Sequence, residues 1–84
     1  MPHYRRDGLQ DSQKAQIKLV MISYQSGNRS KDSLIHGIVT VLSGTKRLST
    51  NQINDLETSA EDVGFTSQDT DELIPLVKRA HKNL

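Results

Sequence analysis

The 84-residue chain has no cysteine, two prolines, three aromatic residues (Tyr4, Tyr24 and Phe65) and no apolar run longer than the four residues Leu19 to Ile22. Without cysteine there is no disulfide framework, no thiolate nucleophile and no thiolate metal site. With so few aromatics the core must be aliphatic, and the surface has few platforms on which unpaired bases could stack. A four-residue apolar run is far too short to cross a bilayer, and the polar stretch Met1 to Gln10 does not read as a signal peptide. These absences point to a cytoplasmic protein with no membrane partner.

Positive charge is missing from one long stretch. Between Leu48 and Val77 there are seven acids and no base, namely Asp55, Glu57, Glu61, Asp62, Asp69, Asp71 and Glu72. Residues 1–47 hold eight Lys/Arg against three Asp, so a net charge of +1 conceals halves of about +5 and −4. Such polarity bears on association and steering rather than on bond-making chemistry.

What remains is enough to fold. Leu, Ile, Val and Phe make up 21 of the 84 residues, above the level of roughly 20% below which highly charged chains tend to be disordered. A chain of this length suits one domain, and small domains without staples often gain stability by oligomerising. Residues 1–10 read as a flexible basic arm and residues 11–84 as a single helical domain.

Four segments follow the arm, each closed by a glycine or by the chain's end. The first, about Ser12 to Ser26, has Asp11 or Ser12 as its cap and Gly27 as its stop. Ala15, Leu19 and Ile22 form one stripe on it, and Ile17, Val20 and Tyr24 form another on nearly the opposite side. A helix apolar on two sides must be covered twice, so Ile17, Val20 and Tyr24 are read as a homodimer contact. The same segment is rich in β-formers, which leaves a strand over residues 17–24 as the alternative.

The second, about Ser30 to Ser43, places Leu34, Ile35, Ile38, Val39, Val41 and Leu42 on one face and ends at Gly44. Gly37 within it marks a close helix approach. The third opens with Ser49 and Gln52 in capping-box spacing, carries the stripe Ile53, Leu56, Ala60 and Val63, and stops at Gly64. The fourth, about Ser67 to Asn83, has acids early and Lys78, Arg79, His81 and Lys82 late, as the helix dipole favours. Pro75 should kink it or force a restart near Ile74. The expected fold is an all-α bundle of about four short helices.

Motifs of chemistry are missing. His3, His36 and His81 lack metal-ligand spacing and read as surface histidines, and no serine elbow or phosphate-cradling glycine loop occurs. No cofactor, metal or small-molecule substrate is implied, so the protein is not read as an enzyme. The run from Ala60 through Gly64 to Leu73 matches the Ala-to-Gly spacing of a helix-turn-helix. However, Thr70 falls where an apolar residue is expected, and Asp69, Asp71 and Glu72 would repel phosphate from the second helix.

Two binding readings remain. In the leading one, a small regulator or adaptor presents Asp55, Glu57, Glu61, Asp62, Asp69, Asp71 and Glu72 to a protein with a basic surface. In the alternative, a nucleic-acid-binding transcriptional regulator uses Arg5, Arg6, Arg29, Lys31, Lys46 and Arg47, two on the arm and two in each of the first two turns.

Overall fold

The computed structural model describes residues 8–83, and the arm residues Arg5 and Arg6 lie outside that range. The elements are α1 (Asp11–Gln25), α2 (Lys31–Val41), α3 (Thr50–Asp62) and α4 (Ser67–Lys82), with no strand among the described residues. Residues 17–24, rich in β-formers, are helical. Propensity yields here because Ile17 and Met21 are wholly enclosed by neighbouring helices.

Caps set the boundaries. Ser30, Ser49 and Thr66 each accept a hydrogen bond from a backbone N–H of the first turn that follows, and Gln52 Oε1 returns a bond to the Ser49 N–H at 2.8 Å. The cap of α1 is Gln10, one residue before the expected position, with its N–H donating to Gln13 Oε1 at 2.9 Å. α1 and α3 end in the same way. The N–H groups of Gly27 and Asn28 reach the Tyr24 and Ser23 carbonyls, and those of Gly64 and Phe65 reach the Glu61 and Ala60 carbonyls. This geometry needs a left-handed residue, supplied by Gly27 at φ +82° and Gly64 at φ +100°. Gly44 has no such role, since α2 closes earlier, at Leu42.

α4 runs through Pro75 without a break. Pro75 lies on the exposed side of the helix, where the Asp71 carbonyl it leaves without a partner can turn to water.

Each helix packs on two others. α1 lies against α2 and α3, and α4 against α2 and α3, while the diagonal pairs do not approach. Contacts give the directions. Leu9 meets Asp55 and Lys18 meets Asp62, so α1 and α3 run parallel. Lys31 meets Glu72 and Leu42 meets His81, so α2 and α4 run parallel to each other and opposite to the first pair. The bundle therefore has two distinct ends. One gathers the starts of α1 and α3 with the finishes of α2 and α4, and the other gathers the reverse.

Thirteen hydrophobic residues form one core, with Ile17, Met21, Ile38, Ala60 and Val77 at 0% exposure. Ile17 belongs to this core, and Val20 and Tyr24 pack against its edge. The proposed dimer stripe thus faces its own chain, because α2 and α3 both sit on that side of α1. The uncovered stripe is the opposite one, where Leu19 is 67% and Ile22 47% exposed. Leu9 is also buried, so the last residues of the expected arm are tied to the bundle.

Candidate functional site

The seven acids do not form one surface. Asp55 is buried, and its Oδ2 accepts the Leu9 N–H at 2.9 Å, which makes it an anchor for the chain entering α1. Asp62 pairs with Lys18 at 3.1 Å across the α1/α3 seam, and Glu72 lies 4.0 Å from Lys31 across the α2/α4 seam. Glu57, Glu61, Asp69 and Asp71 have no ion pair among the described residues. Asp69 and Asp71 lie in the first turns of α4, where the dipole favours them, whereas Glu61 and Asp62 close α3, where it opposes them.

The basic set is redistributed more sharply. Arg29 turns inward, where its Nη1 donates to Ser33 Oγ at 3.2 Å and reaches the Ser33 carbonyl at 3.4 Å. Its Nε is buried without a hydrogen-bond partner among the described residues. The guanidinium lies over Gly37, at 3.2 Å from where a Cβ would stand, and is committed to the α1/α2 contact. Lys31 is drawn toward Glu72 at the acidic end. Neither Arg29 nor Lys31 shares an edge with Lys46 and Arg47.

Lys46 and Arg47 find different company. The connection between α2 and α3 crosses the end of the bundle and brings them beside the last turns of α4. There they line a half-open pocket of about 590 Å³ with Ser43, Thr45, Leu48, Lys78, His81 and Lys82. Four permanent cations face one concavity, and none of its described lining residues is acidic. None of the four is ion-paired among the described residues.

His81 makes this arrangement possible. It is buried, against the expectation of a surface histidine, and its Nε2 lies 2.7 Å from the Thr45 carbonyl and 3.2 Å from the Leu42 carbonyl. Both partners are acceptors, so Nε2 carries a proton and donates. One ring thereby ties the final turn of α4 to the finish of α2 and to the loop that follows. Sequence reasoning missed the site because it assigned Lys78, His81 and Lys82 wholly to the α4 dipole. The available signal was a second basic pair, Lys46-Arg47, in a connection long enough to cross that helix end.

Two smaller depressions lie elsewhere on the described surface. One of about 310 Å³, between α1 and α3, sets Lys14 and Lys18 against Asp11, Asp55 and Asp62, so bases and acids are mixed there rather than segregated. The other, of about 100 Å³, lies at the acidic end between Tyr24, Phe65 and Leu73. Among the described residues no group of histidine, aspartate or glutamate could hold a metal ion, and no helix is long and apolar enough to cross a membrane.

No known protein family, curated protein or solved structure matches the chain. Any functional reading therefore stands on these surfaces alone.

Proposed function

We propose that this is a small non-enzymatic binding protein that engages nucleic acid through its basic end. The observation that carries the reading is the meeting of Lys46, Arg47, Lys78 and Lys82 in one pocket with no acidic side chain among its described lining residues. Like charges held close together repel, and such a group is best stabilised by an anion that it binds. The near absence of aromatic side chains argues for contact with the phosphate backbone rather than with unstacked bases.

Fluorescence anisotropy with a labelled random duplex tests this. Four phosphate contacts give a slope of about −3.6 for log affinity against log salt. Replacing all four cations by glutamine should remove binding while leaving the helical circular dichroism intact. A quadruple variant that binds the duplex as well as the parent would overturn the reading.

The protein-partner reading survives in a reduced form. Glu57, Glu61, Asp69 and Asp71 on α3 and α4, without an ion pair among the described residues, are the acids left to meet a basic protein. Changing these four to their amides should abolish capture of such a partner, and changing Asp55 should act only through stability.

A further inference from the structure

We infer that the pocket between the α2–α3 connection and the end of α4 is a discrete site for one phosphate group, and that His81 is the positioning residue that forms it. The inference rests on the nucleic-acid reading for its source of phosphate but not for its chemistry.

Three observations meet here. The site is concave, whereas cations that only solubilise a surface stand apart on convex ground. Its cations come from two separate pieces of chain, Lys46 and Arg47 from the connection and Lys78 and Lys82 from α4, so a ligand would be gripped from two sides. The two pieces are fastened together by the Nε2–H of buried His81, on the Thr45 carbonyl at 2.7 Å and the Leu42 carbonyl at 3.2 Å. Thr45 immediately precedes the basic pair, so this bond fixes the point from which Lys46 and Arg47 project.

The ligand class follows from the lining. Planar Arg47 suits two oxygens of one oxyanion, and the lysines supply point charges around it. Among the described lining residues Leu48 is the one apolar side chain, too little to hold a base or an acyl chain. Recognition is therefore of the phosphate and not of what it is attached to. The competing account is that the four cations only offset the carbonyl ends of α2 and α4, which would make the pocket incidental.

The test is a titration of the full chain with inorganic phosphate, followed by amide NMR shifts, with 5′-phosphorylated and 5′-hydroxyl duplexes as further arms. Saturable shifts confined to residues 43–48 and 78–82 are expected. Arg47→Gln should weaken phosphate binding at least about tenfold, the loss of one charge-assisted hydrogen bond. His81→Leu should do the same without touching the cations, and His81→Gln, whose amide can donate to the same carbonyls, should restore it. Thermal melts of the variants separate lost binding from lost folding.

Unsaturable or scattered shifts, or an Arg47→Gln variant that melts differently yet binds phosphate unchanged, would overturn the site. Phosphate binding at the pocket with neither duplex bound would keep the site and remove the nucleic-acid reading. Duplex binding that leaves residues 43–48 unperturbed would overturn both the site and the basic end as the nucleic-acid surface. A preference for the 5′-phosphorylated duplex would identify a chain end as the source, and equal binding of both would identify the internal backbone.

Discussion

Gly37 shows two opposing residue-scale effects that can be ranked. Alanine in mid-helix is favoured over glycine by up to about 1 kcal/mol. However, a Cβ at position 37 would stand 2.9 Å from Val20 Cγ1 and 3.2 Å from Arg29 Nη1, and overpacking of this kind costs about 1 to 3 kcal/mol. The clash should win, so Gly37→Ala is expected to lower the urea midpoint. In a Val20→Ala background, with the nearer atom gone, the same change should raise it. An increase in both backgrounds would show that α1 can retreat freely from α2. Gly64 is constrained by conformation instead. At φ +100°, Gly64→Ala should cost about 1 kcal/mol, with the Gln25 side chain the one described neighbour, at 3.6 Å, measured in the same denaturation.

At the scale of elements, much of the fold was legible because its signals are local. Stop glycines at 27 and 64 and the Ser49/Gln52 box each act within a few residues, and the helix ends fall there. What was not legible depends on distant pieces of chain. Which stripe of α1 turns inward is decided by where α2 and α3 lie, and nothing within residues 11–25 encodes that. Asp55 looked like one surface acid among seven because its partner is a backbone N–H 46 residues away. His81 is buried by a connection whose path no periodicity describes. The exposed stripe left on α1 tests this accounting. Leu19 and Ile22 offer too little area for a stable dimer, which buries about 800 Å² per partner. Leu19→Asp should therefore leave both mass and midpoint nearly unchanged, within about 0.5 kcal/mol. Ile17→Asp, which places a charge in the core, should unfold the chain. A drop in sedimenting mass on Leu19→Asp would instead restore α1 as a dimer contact. Within α4, Pro75→Ala returns a donor to the Asp71 carbonyl and should raise the midpoint, by at most about 3 kcal/mol of stability.

On the scale of the whole molecule, the charge asymmetry of the sequence becomes an asymmetry between the two ends of the bundle. Because α2 and α4 run parallel, the connection after α2 delivers Lys46 and Arg47 to the same end as Lys78, Arg79 and Lys82. Because α3 turns directly into α4, Glu61 and Asp62 meet Asp69, Asp71 and Glu72 at the other end. Opposite ends of two copies therefore attract, and a head-to-tail contact of this kind leaves each end free to bind a further copy unless its rotation closes a ring. The attraction is between exposed charges, so it fades as the Debye length shrinks from about 30 Å at 0.01 M salt to about 3 Å at 1 M. Sedimentation equilibrium should give a mass near 9.4 kDa in high salt and a larger, concentration-dependent mass in low salt. Inorganic phosphate should suppress the low-salt association more than chloride does at equal ionic strength, because it occupies the basic end as well as screening it. If association survives 1 M salt, apolar surface and not charge holds the copies together. If phosphate and chloride act alike, the basic end attracts only through its general field, without a site that prefers one anion.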